Sequence, residues 1–246
     1  MSVKEAQSIL KSLGLYAGAL DGILGPQTRA ALREFQKSRK LVQDGILGPQ
    51  TSQALSRARA ALEQAATEKL LASVRLDKFS PQDSRRVALT FDDGPDPNTT
   101  GEILRLLRQR GLKATFFVIG AKCQRYPEIV RQIAAEGHSV QNHSFWHSFS
   151  EGVEDLTATS QIIAKLTGVE PTYFRPPGGV LSKNTAEAVR KLGLKVAYWS
   201  NVGGEWTAFP GAVIKINESK DALSLLPAFL DRLVGEGFQS VTLEDN

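Results

Sequence analysis

Val87-Ala88-Leu89-Thr90-Phe91-Asp92-Asp93-Gly94-Pro95 is the stretch on which the fold turns. Its first five residues form an apolar, β-rich run that reads as a strand, and two adjacent carboxylates end it. Consecutive residues on a strand point to opposite sides, so the two acids can take different jobs. Further along stands His143-Ser144-Phe145-Trp146-His147. Its imidazoles are spaced i, i+4 and lie close if the segment turns helically. One carboxylate with two histidines is a facial set that leaves open positions on Zn²⁺ or a similar divalent ion. The second carboxylate then stays beside the ion to take a proton from water.

Outward from this stretch, short β-rich runs alternate with amphipathic ones. Strands are expected over 87–91, 114–119, 139–142, 172–175 and 195–201, and helices over 100–110, 126–136, 155–166 and 185–192. Such alternation builds a parallel sheet covered by helices, with the chemistry at one rim. Asp92, Asp93, His143 and Arg175 all fall just after their strands, which suits that rim. His138 reads as a packed or hydrogen-bonded histidine. Trp199 and Trp206 read as core residues or sugar-stacking rings, with Trp206 the better candidate for a groove.

The first fifty-five residues differ in kind. Asp21-Gly22-Ile23-Leu24-Gly25-Pro26-Gln27-Thr28 recurs letter for letter as Asp44-Gly45-Ile46-Leu47-Gly48-Pro49-Gln50-Thr51. Each copy reads as a turn, a short Ile-Leu apolar plug, and a proline at a helix start, where its missing N–H is no loss. Ala6, Ile9, Leu10 and Leu13 form the inner face of a first helix, and Ala31, Leu32 and Phe35 that of a second. Three short helices with tight loops make a small bundle. An Ala-rich stretch over 52–71 reads as a helical spacer, and 76–86, with Pro81, as the domain boundary.

Composition sets limits. The chain has 246 residues, 41% of them hydrophobic and 23% charged, with a formal net charge of +4. That is room for one large domain or two unequal ones. No apolar run is long enough for a membrane span, and Met1–Ala6 lacks the apolar core of a signal peptide. The Lys and Arg residues are scattered, so nucleic acid is not expected as a partner. Cys123 is the only cysteine, which excludes an intramolecular disulfide.

The order Thr90-Phe91-Asp92-Asp93-Gly94-Pro95, His143-Ser144-Phe145-Trp146-His147, Arg175-Pro176-Pro177-Gly178-Gly179 resembles the motifs of the polysaccharide deacetylase (NodB-homology, carbohydrate esterase family four) family, over roughly 86–243. Asp21 through Phe35-Gln36 resembles the peptidoglycan-binding domain of the PG-binding-1 type. The resemblance implies an α/β fold: a distorted, trimmed (β/α) barrel of seven strands, preceded by a small all-α three-helix domain. The expected divisions are 1–57 for the wall-binding domain, 58–84 for the helical spacer and linker, and 85–246 for the deacetylase domain. It further implies that Asp93, His143 and His147 hold a divalent metal, Zn²⁺ with Co²⁺ as the alternative. Asp92 is then the general base, and Arg175 orients it and holds it ionised. Gly178 offers a backbone N–H to the oxyanion, while Pro176, Gly179 and Trp206 line the substrate site. The expected activity is hydrolysis of N-acetyl groups on peptidoglycan or a related polysaccharide, and a wall substrate implies an extracytoplasmic place of action.

Two motifs depart from the family. Its Asp-x-x-Asp-Trp appears as Val202-Gly203-Gly204-Glu205-Trp206, without the first Asp, and its Leu-x-His appears as Lys215-Ile216-Asn217, without the general-acid histidine. Reduced turnover is therefore expected, with Asp92, Glu205 or Glu218 as substitute proton donors. A non-catalytic wall-binding protein and an O-acetyl esterase are the alternatives. Too few residues separate Trp206 from Ala212 for the usual crossover helix, so the barrel is expected to be open or thinly covered over 206–216, which leaves the reach of Asn217 undecided.

Overall fold

The computed structural model describes residues 1–73, 85–149, 151–201 and 206–245. The chain divides into two compact units, Met1–Lys69 and Leu70–Asn246. Val202 to Glu205, and with them the proton donor expected at Glu205, lie outside the described residues, as do 74–84 of the linker.

The first unit holds α1 (Val3–Ser12), α2 (Pro26–Ser38) and most of α3 (Pro49–Ser73). Ser2 and Glu5 close a reciprocal capping box at the start of α1. Ala6, Ile9, Leu10, Ala31, Leu32, Phe35, Leu55 and Ala58 form its core. The repeated loops are pinned from behind by two buried glutamines. Gln7 Nε2 donates to Asp21 Oδ1 (2.7 Å), the Ile23 carbonyl and Thr28 Oγ1. Gln36 Nε2 does the same to Asp44 Oδ1 (2.8 Å), the Ile46 carbonyl and Thr51 Oγ1. Each amide oxygen accepts a loop N–H, from Gly22 and Gly45 respectively. The Ile-Leu plug is only half a plug: Leu24 and Leu47 pack on the core, whereas Ile23 and Ile46 are 64% and 53% exposed. The glutamine grips the isoleucine backbone and leaves its side chain outside.

In the second unit, seven strands are described: β1 (Arg86–Gly94), β2 (Thr115–Val118), β3 (Ser139–Asn142), β4 (Tyr173–Phe174), β5 (Lys195–Val196), β6 (Val213–Asn217) and β7 (Gln239–Val241). Their order is β5-β4-β3-β2-β1-β6, with β7 also on β1, and every pairing is parallel. Between them run α4 (Thr100–Gln109), α5 (Gly120–Arg125), α6 (Pro127–Ala135), α7 (Val153–Thr167), α8 (Lys183–Leu192) and α9 (Lys220–Gly235). Strand alternation sorts β1 by face. Val87, Leu89 and Phe91 join the core under the helices, with Phe116, Val118, Ile214 and Ile216. Ala88 belongs to a second cluster with Phe117, Tyr173, Ala197 and Val213, inside the barrel. Thr90 and Asp92 share that inner face.

No helix lies between β5 and β6 among the described residues, as the short spacing predicts. The seam is bridged by side chains and backbone instead. The Ser200 N–H donates to the Val213 carbonyl (2.8 Å), and Asn201 Oδ1 accepts from the Lys215 N–H (2.8 Å). Trp206 packs edge-to-face on Phe229 of α9, with ring centroids 5.4 Å apart. His138 is structural: its Nδ1 accepts from the Ala114 N–H, and burial, with Lys113 nearby, pulls it down to about 4, so it stays neutral.

Gln36 is the test of the pinned loops. Its replacement by alanine strands the groups it satisfies, and is expected to destabilise the first unit by about 1–3 kcal/mol. Denaturation followed by hydrogen exchange in α1–α3 measures this, and unchanged protection would contradict the account.

Candidate metal centre

The two acids end β1 inside the strand rather than after it, and a register shift between Asp92 and Gly94 marks a bulge against β2. Asp93 takes φ +74° there, a conformation that costs a non-glycine residue free energy and persists only where its surroundings enforce it. Lys122 Nζ donates to the Asp93 carbonyl (2.7 Å), and the Ile119 N–H to that of Gly94 (2.9 Å). Simple alternation would send the two carboxylates to opposite faces. The bulge re-aims Asp93 so that both serve one rim.

The histidines meet by another route than expected. Residues 143–149 are a loop, not a helical turn, with Ser144 at φ +69° and His147 at φ +59°. Glu151, buried, organises it: its carboxylate accepts from the backbone N–H of Phe145 (3.1 Å), Trp146 (3.4 Å) and Ser148 (2.8 Å). Ser144 Oγ accepts from the His147 N–H (3.0 Å), and Asn142 Oδ1 from that of Ser144 (2.8 Å). The imidazole centroids end 5.1 Å apart.

Asp93 Oδ1 lies 3.3 Å from His143 Nε2 and 3.1 Å from His147 Nε2. The three donor atoms all fall within 4.8 Å of one another. His143 Nδ1 faces the Arg175 carbonyl at 2.7 Å. A carbonyl only accepts, so Nδ1 carries hydrogen, and in the neutral ring Nε2 turns its lone pair toward a carboxylate oxygen. Acceptors converge this way around a cation. Ligands at the Zn–N and Zn–O distances of tetrahedral sites stand about 3.3 Å apart, which the two separations match. These residues fit a divalent metal. With the imidazoles protonated instead, burial pushes the Asp93 carboxyl up, but the His143 hydrogen bond and the charges of His143, His147 and Lys122 outweigh it and leave Asp93 below its ordinary value.

Asp92 points elsewhere, to Arg175 Nη1 at 2.6 Å. Arg175 is fully buried, and each of its three nitrogens donates a hydrogen bond. Nη1 also donates to Thr90 Oγ1 (2.7 Å), Nε to the Ala197 carbonyl (3.1 Å) and Nη2 to the Tyr198 carbonyl (3.2 Å). Its guanidinium lies 4.1 Å from the Phe117 ring centroid and 5.7 Å from that of Trp199. Burial pulls Arg175 below its ordinary pKa, and the Asp92 carboxylate opposes this.

After Arg175, Pro176 and Pro177 are buried, and Pro177–Gly179 forms a 3₁₀ turn. A side chain at Gly178 (φ +59°) would meet Phe149 at 2.9 Å, and one at Gly179 (φ +74°) would meet Trp199 at 2.9 Å. Both positions need glycine for conformation and for space. The tryptophan beside the centre is therefore Trp199, and Trp206, expected in the groove, is packed on the main core instead. Asn217 does reach the centre: Nδ2 donates to Asp93 Oδ2 at 2.7 Å. Glu218 is the next residue along. Its carboxyl is tucked against Gly94 and accepts from Thr100 Oγ1 and Thr99 Oγ1, and burial pushes it up to about 7. Glu151, Asn142, Thr90 and Lys122 escape sequence reading. Glu151, with Glu154 and Asp155, resembles ordinary acidic residues opening a helix.

Glu151 gives a direct test of the loop. Glu151→Ala is expected to weaken metal uptake about 10–100-fold, as loss of groups behind metal ligands does. A Co²⁺ titration measures it, and unaltered affinity would show that the loop holds its shape without that carboxylate.

The polysaccharide deacetylase family matches residues 80–197, and the peptidoglycan binding domain family matches residues 2–55. A peptidoglycan-N-acetylglucosamine deacetylase of Bacillus cereus is 31% identical over 188 residues, 66% of this chain and 68% of that protein. The structure of peptidoglycan deacetylase PdaC from Bacillus subtilis superposes with a TM-score of 0.60 at 32% identity, covering 66% of this chain and 90% of that one. A family 4 carbohydrate esterase from Bacillus anthracis does so with a TM-score of 0.63 at 30% identity, covering 72% and 89%. By these matches the chain belongs to the polysaccharide deacetylase family.

Proposed function

We propose that the protein is a metal-dependent deacetylase that hydrolyses N-acetyl groups of peptidoglycan, held at its substrate by the amino-terminal unit. The observation that carries this reading is the division of labour at the end of β1. Asp93 faces two imidazoles, while its neighbour Asp92 is bound to a different partner, Arg175. A divalent ion on Asp93, His143 and His147, Zn²⁺ or Co²⁺, supplies Lewis acidity toward the acetyl carbonyl and acidifies water. Imidazole with carboxylate suits such ions.

Asp92 takes the proton of the attacking water. Arg175 keeps that carboxylate in place through a buried, charge-assisted hydrogen bond. The Gly178 backbone N–H, in its turn beside Phe149, is the donor for the oxyanion. Pro176 and Gly179 shape the turn, and Trp199 forms a wall of the substrate site. Trp146 is 70% exposed on the histidine loop, free to meet a sugar face. The wall-binding unit raises the local concentration of substrate without altering the centre. Action on peptidoglycan places the protein outside the cytoplasm. Among the described residues no helix is long and apolar enough to cross a membrane.

Asn217 favours one second reading, hydrolysis of O-acetyl esters, because an alkoxide depends less than an amine on an acid to leave. Acetate release from purified peptidoglycan, before and after removal of O-acetyl groups, decides between them. With Zn²⁺ or Co²⁺ present the protein is expected to release acetate from N-acetyl groups, and Asp92→Asn to lose about 10²–10⁴ of the rate. A metallated protein that sediments with the wall yet releases no acetate would overturn the proposal.

A further inference from the structure

Amide hydrolysis needs a proton for the departing amine, and on the deacetylase reading that proton has to come from this chain. Among the described residues, Arg175 is buried and cannot give up a proton, Asp92 is bound to Arg175 and has the water's proton to take, the Asn217 amide is no acid at neutral pH, and Glu218 accepts from Thr99 and Thr100. Glu205 lies outside the described residues. Lys215 offers an ammonium on the inner face of the barrel. In the β1–β6 pairing Thr90 is opposite Lys215 and Asp92 is opposite Asn217. Paired residues of neighbouring strands share a face, so Lys215 and Asn217 project from the same side as the two residues that grip Arg175. Between them Ile216, on the other face, is buried under the helices.

Lys215 Nζ stands 4.5 Å from the Trp199 ring centroid, on the ring that Arg175 also approaches. It donates to Asn217 Oδ1 at 2.8 Å, and Asn217 Nδ2 donates onward to Asp93 Oδ2 at 2.7 Å. An ammonium has donors only, so it fixes which way the amide faces: oxygen to the lysine, NH₂ to the carboxylate. Asp93 is reached through Asn217, and Arg175 approaches the same Trp199 ring. An ammonium is thus held over an aromatic face one side chain away from the metal ligands, on the half-exposed side of the seam.

We propose that Lys215 is the proton donor to the leaving amine. As the C–N bond breaks, its electron pair passes to nitrogen, and nitrogen takes a proton from Nζ. The acyl carbon, carrying the oxygen delivered by water, departs as acetic acid, which loses its remaining proton to solvent as acetate. Lys215 is left neutral and regains a proton from solvent, while Asp92 releases to solvent the one it took from water. A lysine does this late, once bond cleavage has made the nitrogen basic.

The test compares an N-acetylated glycan with 4-nitrophenyl acetate, whose leaving group departs without a proton. Lys215→Met is expected to slow glycan turnover about 10²-fold or more, and to cost at least about tenfold less on the activated ester, with the metal content per chain retained. Lys215→Arg keeps the charge but cannot give up a proton, and is expected not to restore glycan turnover. Asn217→His supplies another acid and is expected to shrink the loss caused by Lys215→Met. Equal losses on both substrates, full glycan turnover in Lys215→Arg, or a neutral Lys215→Met would each overturn the assignment. Acetate release by the unaltered protein is measured alongside. If it is present and Lys215→Met is neutral, only the lysine's role falls; if it is absent, the deacetylase reading falls with it.

Discussion

A buried guanidinium organises the catalytic end of the barrel. Arg175 is taken wholly out of water, and every stable arrangement of such a charge needs a partner and filled hydrogen bonds. It finds them at Thr90 and Asp92 of β1 and at the Ala197 and Tyr198 carbonyls just beyond β5. Its own carbonyl, at the end of β4, sets the tautomer of His143. The same residue thus holds Asp92, closes one side of the barrel and orients the His143 ring. Removing one partner of such a pair costs about 3–5 kcal/mol, because the other charge is left buried alone.

Once Asp92 is tied to Arg175, its neighbour needs a different direction. The bulge gives Asp93 that direction at the cost of a left-handed backbone, held by Lys122 and by the Ile119–Gly94 hydrogen bond. The histidine loop carries comparable strain at Ser144 and His147, offset by the three backbone groups that Glu151 gathers. Strain concentrated at a rim and supported from outside it is characteristic of sites built for chemistry. Lys215 and Asn217 complete the rim from the other neighbour of β1.

Much of this was legible in the chain. The β1 run and the alternation of strands and helices that makes a parallel sheet followed from apolar periodicity, and the repeated Asp-Gly loops from turn chemistry. Two histidines and a carboxylate stood out by type and spacing, and the family resemblance singled out Asp93 from Asp92. Their geometry was not legible. Neither the bulge at Asp93 nor the loop at 143–149 has a periodic signature, since both depend on positive φ at non-glycine residues. Glu151, Gln7 and Gln36 act through hydrogen bonds to backbone groups distant in sequence, which no local pattern reveals. Trp206 was misplaced because a tryptophan near a site and one packed on a helix such as α9 look alike in sequence; the contact with Phe229 decides it.

The account stands or falls on one ion shared by Asp93, His143 and His147, with Asp92 beside it and outside its ligand set. The most direct measurement is a Co²⁺ titration read in the visible d–d bands, on the unaltered chain and on Asp93→Ala and Asp92→Asn. The account predicts one ion per chain, lost with Asp93→Ala and kept with Asp92→Asn. Saturation without a stoichiometric site, or an ion that survives Asp93→Ala and departs with Asp92→Asn, would contradict it.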